Sequence, residues 1–389
     1  MGAVLLASAG SLRAQVDSSK VFEVYGFAML DIGYNANQVK PSWYDAMRPS
    51  RLPSYENQYG ADGYSYASAR QSRLGVKTSF PTSMGNFKAV FDFDMYGVGA
   101  DEGQTTIRLR HAYGQLGHWG AGLTESAFMD LDVFPNTTEY WGPNGMLFLR
   151  NAQLRWESLN GLVVALEAPG ASGDAGIYAD RVELQGVKFH FPVPDLSGHY
   201  RWTGNNLYLQ LGGIVRYFKW EDQAATPTLD LSGNATGWGV ALSTGINLGK
   251  KILIHGQGTY GEGIENYFND APIDVGIATT GDPKTPVTGE PLADVGLVGF
   301  VDINWSPKWT SSVGYSTTII TNSDGQAPDA YHQGQYVAAN LMYYPTAGVM
   351  SGVELTYIDR ENNSDGFTSS AVRVNFSFKY NFSYKHYGM

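Results

Sequence analysis

Apolar and polar side chains alternate along many short segments of this chain, and no other feature of the sequence limits its fold as strongly. The segment 85–96 is the clearest example. Every second residue from Phe87 to Met95 is apolar, and charged residues, among them Asp92 and Asp94, lie between them. Successive side chains of a β-strand point to opposite faces, so a period of two predicts strands with one apolar and one polar face.

About sixteen such segments follow one another, an even number of the kind found in single-chain bacterial barrels. They are 21–33, 69–80, 85–96, 105–113, 121–129, 151–156, 162–168, 196–202, 207–220, 237–248, 251–260, 294–305, 309–321, 336–344, 349–360 and 371–382. Tyrosine and glycine are both abundant, at 25 and 47 residues, as is usual for hairpins of this kind.

Short and long connections alternate between the predicted strands. The short ones are turns such as 81–85 and 306–308, whereas the long ones include 35–63, 169–194 and 262–293. Short turns at one end and long loops at the other are typical of outer-membrane barrels, and a soluble β-sandwich has no reason for such strict alternation. We therefore predict an all-β fold, a 16-stranded antiparallel transmembrane β-barrel with short periplasmic turns and long extracellular loops.

Composition restricts the possible classes of protein further. No stretch approaches the ~20 apolar residues that a membrane-spanning helix needs, which argues against a helical membrane protein. Cysteine is absent, as fits an oxidising envelope compartment. The net charge of −11 argues against a nucleic-acid partner, because phosphate binding requires clustered surface lysine and arginine.

The chain divides into four predicted segments. Residues 1–14 resemble the apolar and cleavage regions of a secretory signal peptide, with cleavage after Ala14, and the alternative is a disordered apolar tail. Residues 15–20 form a short N-terminal segment, 21–382 the barrel and 383–389 a C-terminal tail.

Basic residues of the strongly alternating strands keep mainly to the polar faces. A lysine or arginine that faces lipid at mid-depth costs roughly 2–4 kcal/mol in such barrels. We predict that five of these residues line a pore constriction: Arg73, Lys77, Arg108, Arg110 and Arg155. A positive wall selects ions by sign, and guanidinium groups bind carboxylates in a bidentate manner. The alternative is that they only pair with Asp92, Asp94 and Glu157 and fill the lumen.

Arg150 breaks this pattern. In the phase set by Ala152, Leu154 and Trp156, its side chain would face lipid. Because that position is costly, we expect Arg150 at a membrane interface, at a bulge, or in a different register from the one assigned here.

An acidic and aromatic loop, 130–142, separates the fifth and sixth predicted strands. In general porins a loop at this place folds inward and narrows the channel. We therefore predict that Asp130, Asp132 and Glu139 belong to the constriction and face the arginines, which would create a transverse field that orients polar solutes. The alternative is an ordinary surface loop with a buried Phe134 and Trp141.

Enzymatic chemistry finds no support in the sequence. There is no cysteine nucleophile, no HExxH motif and no Gly-x-Ser-x-Gly elbow. His111 and His118 are not at the spacing of metal ligands. We expect no catalytic residue, no metal and no cofactor.

Four motifs resemble the DcaP-like family of outer-membrane porins. They are IRLRHAYG at 107–114, FMDLDVFPN at 128–136, YWGPNG at 140–145 and RNAQLR at 150–155. The resemblance is specific over about 70–155 and weaker afterwards. It implies a sixteen-stranded homotrimer that passes small anionic solutes, with dicarboxylates proposed for some members.

The sequence departs from this family at both ends. Family members carry a helical coiled-coil extension before the barrel, and residues 15–20 are too few for one. General porins often end on a phenylalanine, whereas here Phe382 is followed by further residues. Either the barrel ends early, or Tyr384 or Tyr387 takes the place of the terminal phenylalanine.

These observations favour one function and leave two alternatives. We expect a porin in the outer membrane of a Gram-negative bacterium, surrounded by lipid, that allows passive diffusion of small anionic solutes such as dicarboxylates. The first alternative is a structural or adhesive barrel with an occluded lumen. The second is a soluble β-rich binding protein of the periplasm.

Overall fold

The computed structural model describes residues 20–388 of the chain. The predicted signal-peptide remnant, 1–14, lies outside the described residues, as does the segment 15–20 except for Lys20. Among residues 20–388, no helix is long and apolar enough to cross a membrane.

Strands make up most of the described chain. They are β1 (Lys20–Asn35), β2 (Tyr64–Ser68), β3 (Arg73–Thr82), β4 (Gly85–Tyr96), β5 (Thr105–Leu116), β6 (Trp119–Glu125), β7 (Arg150–Glu157), β8 (Leu162–Glu167), β9 (Val187–His190), β10 (Asp195–Thr203), β11 (Leu207–Asp222), β12 (Gly233–Leu248), β13 (Ile252–Glu262), β14 (Val275–Thr279), β15 (Val287–Pro291), β16 (Ala293–Ser306), β17 (Trp309–Thr321), β18 (Tyr331–Tyr343), β19 (Val349–Asn362) and β20 (Thr368–Gly388). One short α-helix, α1 (Val182–Gln185), lies in a loop. The 3-10 turns are Pro41–Trp43, Pro49–Arg51, Gly99–Asp101, Leu131–Val133, Gly176–Tyr178 and Glu265–Tyr267.

The strands form one closed antiparallel sheet. Eighteen of them belong to it, while β14 and β15 make a separate hairpin in a loop. Two crossings of the wall are each divided, into β2 with β3 and into β9 with β10, so the sheet has sixteen crossings. The last strand, β20, pairs with β1 from Lys20↔Gly388 to Asn35↔Arg373 and closes the barrel. The predicted 16-stranded antiparallel barrel is confirmed.

The prediction of a tail after Phe382 is wrong for residues 383–388, which the structure describes as part of a strand. Strand β20 continues to Gly388, and Tyr384 pairs with Val24 of β1. The alternation also continues, because Lys385 lies opposite Glu23 on the lumen side while Tyr384 is exposed outside. Ser383 and Lys385 occupy the inner face of the closing strand, where both contact Glu23.

The barrel wall has apolar side chains outside and charged side chains inside, which is the reverse of their distribution in a soluble protein. On β1 the outward side chains of Phe22, Leu30 and Ile32 are 45%, 42% and 44% exposed, whereas the inward Glu23 and Asp31 are only 7% and 3% exposed. Soluble proteins bury such apolar residues and expose charged ones. An apolar outer surface around a polar interior is the pattern of a barrel in lipid.

Two long loops fill part of the interior. Residues from loop 36–63 and loop 126–149 pack on the inner faces of β16, β18, β19 and β20. The resulting buried cluster consists of Met47, Leu52, Val133, Met146, Val298, Phe300, Tyr336, Ala338, Ile358 and Ala371. A large open space remains beside β1, β3, β5, β6, β7 and β20, and several basic residues line it.

Removal of residues 383–389 tests the closing strand. We expect the truncated chain to lose the ladder from Tyr25↔Ser383 to Lys20↔Gly388 and to expose unpaired backbone groups at the barrel seam, which lipid cannot satisfy. The heat-modifiable band of folded protein on semi-native gels should be strongly reduced. Removal of Met389 alone is the control and should leave the band unchanged. A fully heat-modifiable 1–382 chain would contradict this role for the segment.

Candidate functional site

A bulge in β5 directs several polar residues into the lumen. In the β4–β5 ladder, Phe93 pairs with Leu109 and Asp92 with His111, so Arg110 has no partner of its own. Such a bulge inserts one residue and resets the alternation of the strand. Arg108 and Arg110, two residues apart, both reach the buried Asp94 on the lumen side, and the bulge places His111 on the same side.

Asp94 is the anchor of this wall. It is fully buried, and its carboxylate accepts hydrogen bonds from Arg108 Nη2 at 2.9 Å and Arg110 Nη1 at 2.8 Å. It also accepts a hydrogen bond of 2.6 Å from the Tyr140 hydroxyl, which belongs to loop 126–149. One carboxylate thus faces two guanidinium groups and leaves an excess of positive charge.

Three further cations on this wall have no acidic partner. Within residues 20–388, neither Arg73 nor Arg150 nor Lys379 has a carboxylate within 4 Å; the ion pairs nearby belong to other residues. They lie against aromatic rings instead. The Phe27 ring centroid is 5.4 Å from Arg73 Cζ and 4.0 Å from Lys379 Nζ. Arg150 Cζ is 5.0 Å from the Phe148 centroid. Contacts of this type contribute about 0.5–2 kcal/mol but do not neutralise the charge.

Arg150 does not face lipid, contrary to the phase of β7. It is the first residue of that strand, and the chain enters the strand from inside the barrel, where Phe148 N donates to Tyr267 O at 2.8 Å. A residue at this junction is not bound to the alternation that begins after it. Its side chain lines the same cavity as Arg108 and Arg110.

A cavity of about 790 Å³ lies in front of these cations. The basic side chains in its lining are Arg48, Arg73, Arg108, Arg110, Arg150 and Lys379. Loop 126–149 supplies the facing side with Phe134, Tyr140, Trp141 and Phe148. The lining has two acidic side chains, and both are paired: Glu125 with His111 and Glu139 with Arg373, each at 3.0 Å. The cavity therefore has a positive wall opposite an aromatic one.

Loop 126–149 lies across the inside of the barrel. Asn136 N donates to Asp302 of β16 at 3.2 Å, and Thr138 N donates to Glu354 of β19 at 2.9 Å. Both acceptors project from inner faces of strands on the far side of the lumen from β5. Loop 36–63 adds to this layer through Arg48, which pairs with Asp270 at 2.8 Å.

The sequence predicts that the three acidic residues of this loop face the arginines of the constriction, but each of them is paired with another arginine. Asp130 and Asp132 both pair with Arg201 of β10, and Asp130 also accepts from the Ser243 hydroxyl. Glu139 pairs with Arg373 of β20 at 3.0 Å and accepts from Met47 N. None of the three pairs with Arg108 or Arg110. Glu139 still lines the cavity, but Arg373 offsets its charge.

The structure also separates the five basic residues expected in one constriction. Arg73, Arg108 and Arg110 share the cavity described above, but Lys77 and Arg155 do not line it. Lys77 lies 3.3 Å from Glu23, and Arg155 lies 3.4 Å from Glu157. Lys379 is on the polar phase of the last strand and could have been chosen from sequence, whereas Arg150 had no such signal.

No metal site accompanies these groups. Within residues 20–388, histidine and acidic side chains do not gather in threes at positions that could hold an ion. Both ring nitrogens of His111 already have partners: Nδ1 lies 3.0 Å from Thr124 Oγ1 and Nε2 lies 3.0 Å from Glu125 Oε1.

The closed sixteen-stranded wall, its apolar outside and its charged lumen define a barrel of the porin class, located in the outer membrane. The family model for the DcaP outer membrane protein matches residues 14–255, so the chain belongs to this family. The alternative of a soluble periplasmic protein was therefore wrong. No curated protein sequence matches the chain.

Three solved structures show how widely this fold is shared. The outer membrane channel DcaP of Acinetobacter baumannii has a TM-score of 0.75 and 21% sequence identity, over 94% of this chain and 98% of that chain. The anion-selective porin from Comamonas acidovorans has a TM-score of 0.57 and 9% identity, over 93% and 100%. The trimer form of OmpT from Vibrio cholerae has a TM-score of 0.54 and 11% identity, over 94% and 100%.

The Glu139–Arg373 pair allows a test of the inner layer. Burial raises the pKa of Glu139 to about 7, in opposition to Arg373. Arg373→Gln leaves this carboxylate buried without its cation, and removal of one partner of such a pair typically costs about 3–5 kcal/mol. We expect a larger loss of thermal stability at pH 9, where Glu139 is ionised, than at pH 6, where it binds a proton.

Arg73→Gln is the matched control for Arg373→Gln. Arg73 is also an inward arginine of the wall but has no carboxylate partner, so its loss should leave the unfolding temperature nearly unchanged. Thermal unfolding in detergent, followed by circular dichroism, measures both variants. Equal effects of the two substitutions, or an effect of Arg373→Gln that does not vary with pH, would contradict this assignment.

Proposed function

We propose that the protein allows passive diffusion of small hydrophilic solutes across the outer membrane, with a preference for anions. The observation that carries this proposal is the set of three cations without acidic partners, Arg73, Arg150 and Lys379, beside one open cavity. The proposed constriction consists of these three together with Arg108 and Arg110. No catalytic role is proposed for any residue.

Electrostatics explains the expected selectivity. Two unit charges 4 Å apart attract or repel by about 1 kcal/mol in water and about 4 kcal/mol near a protein surface. Several fixed cations beside a narrow path therefore favour anions and oppose cations, while exchange between neighbouring sites still permits release. The two carboxylates of the lining, Glu125 and Glu139, each have a basic partner and so offer little compensating negative charge to assist cations.

Dicarboxylate-like solutes fit this arrangement best. Arg73 and Lys379 lie on the same phenylalanine ring and can each meet one carboxylate of a short diacid. Guanidinium groups hold carboxylates through paired hydrogen bonds. The family resemblance, which implies small anionic solutes, and the anion-selective Comamonas porin of the same fold agree with this proposal.

We further propose that the barrel acts as a homotrimer, as the family resemblance implies. OmpT of V. cholerae, which shares the fold, has a trimer form. The supporting observation is that three neighbouring strands of the wall are unusually short. Strands β6, β7 and β8 have 7, 8 and 6 residues, whereas a tilted strand needs about 9–11 residues to cross the hydrocarbon core. A neighbouring copy would cover this section, which exposes Trp119, Leu154 and Val164.

The selectivity of the pore can be measured in planar bilayers under a KCl gradient. We expect an anion-selective reversal potential for the wild type. The triple change Arg73→Gln, Arg150→Gln and Lys379→Gln should reduce the anion-to-cation permeability ratio by about fivefold or more, since each charge contributes about 1 kcal/mol even in water. Arg108→Gln with Arg110→Gln should have a smaller effect, because Asp94 already offsets part of their charge.

Arg181→Gln is the control for these variants, because Arg181 lies exposed in a loop and pairs with Glu183. A cation-selective wild type would contradict the proposed function. Folded protein without any conductance would favour the alternative of an occluded, structural or adhesive barrel.

The trimer is tested with single cysteines, since the natural chain has none. Fluorophores at Val164→Cys in β8 and at Leu242→Cys in β12 both start from exposed outward positions, 39% and 55% in the single chain. In lipid vesicles we expect brominated lipids to quench the label at 242 strongly and the label at 164 weakly, because a partner copy shields β8. Equal quenching would contradict the proposed interface.

A further inference from the structure

We propose a second anion site between the constriction and the turn end of the barrel, formed by Lys77, Lys88 and Lys385. We name it the lower lysine site. It would hold the same small carboxylates as they leave the constriction, so it rests on the proposed function. It includes Lys77, which the sequence had assigned to the constriction.

The strand register places two of these lysines beside a single carboxylate. Glu23 of β1 pairs with Lys385 of β20 on one side and with Lys77 of β3 on the other. Glu23 Oε2 is 3.7 Å from Lys385 Nζ and 3.3 Å from Lys77 Nζ. The lysine side chains remain 49% and 52% exposed, while that of Glu23 is 9% exposed. These three side chains therefore carry two accessible positive charges and one buried negative charge.

The third lysine adds a charge without a counterion. Lys88 of β4 pairs with Ser79 of β3 and with Gln115 of β5, and within residues 20–388 it has no carboxylate within 4 Å. Glu157, on the next part of the wall, is already engaged by Arg155 at 3.4 Å and by Gln115 at 3.0 Å. The three lysines thus share Glu23 alone.

An open cavity of about 490 Å³ separates these side chains, and all three lysines line it. Tyr113 of β5 also lines the cavity, and its ring lies over Gly120 of β6. A Cβ at position 120 would come within 1.7 Å of the Tyr113 hydroxyl oxygen. The glycine therefore lets the tyrosine lie flat on the wall and keeps the space in front of the lysines free.

The lower lysine site is a separate step along the path. Lys379 of the constriction and Lys385 are six residues apart on β20, which corresponds to about 20 Å along a strand and about 15 Å along the axis of a tilted barrel. This exceeds the Debye length of about 8–10 Å at moderate salt, so the two groups act on an ion in succession. Ammonium groups are strongly hydrated and mobile, which suits brief binding before release.

A sided block of the channel tests this proposal. Citrate, a tricarboxylate, is added to oriented channels in a planar bilayer, either on the turn side or on the loop side. For Lys77→Gln, Lys88→Gln and Lys385→Gln combined, we expect the half-blocking concentration from the turn side to rise about tenfold. Block from the loop side should change by less than twofold. Lys308→Gln, an exposed lysine in a turn at the same end, is the control.

The single variant Lys88→Gln separates loss of the site from misfolding. Lys88 takes part in no ion pair of the described chain, so its replacement should not disturb the fold. It should weaken turn-side block about threefold and leave heat-modifiability unchanged. Gly120→Ala should displace Tyr113 into the cavity and also weaken this block.

The outcomes separate the two proposals. An unchanged turn-side block in both lysine variants would overturn the lower lysine site, even if the wild type is anion-selective and depends on the constriction. A cation-selective wild type would overturn the proposed function. A turn-side citrate block that depends on the three lysines would establish the lower site in either case.

Discussion

Backbone hydrogen bonding in lipid is the constraint on which the rest of this structure depends. The hydrocarbon core offers no partner for a free N–H or C=O, so a sheet in a membrane must have no edge. The ladder between β1 and β20 meets this requirement and runs from Lys20↔Gly388 to Asn35↔Arg373. Once the wall is closed, every second side chain is directed to lipid and the others to the interior, where charge is tolerated.

The proposed selectivity comes from charges that the interior leaves unpaired. Glu139 and Asp270 each bind an arginine, and these pairs attach the inner loops to the wall and to each other, while Asp94 holds the inner loop through the Tyr140 hydroxyl. Arg73, Arg150 and Lys379 lie on aromatic rings instead. Paired groups thus hold the inner layer in position, while the unpaired cations give the open space its sign.

The sequence predicted the wall better than its contents. Alternation alone gave the bounds of β4 and β17 as the structure has them, because side-chain period and strand geometry coincide. It could not place Arg150 or the carboxylate of Glu139. The partner of Glu139 is 234 residues away in the chain, and such a contact leaves no trace in local periodicity. The β5 bulge at Arg110 was missed for the same reason, since it exists only relative to β4.

The role of Asp94 has a consequence for how such a pore can change. The same carboxylate offsets Arg108 and Arg110 and binds the Tyr140 hydroxyl of the inner loop. A substitution there would alter the charge of the wall and release the loop that, in the proposed pore, sets the width of the passage. Ion preference and aperture are therefore inherited together at this position, and an evolving lineage that adjusts one of them through Asp94 must also accept a change in the other.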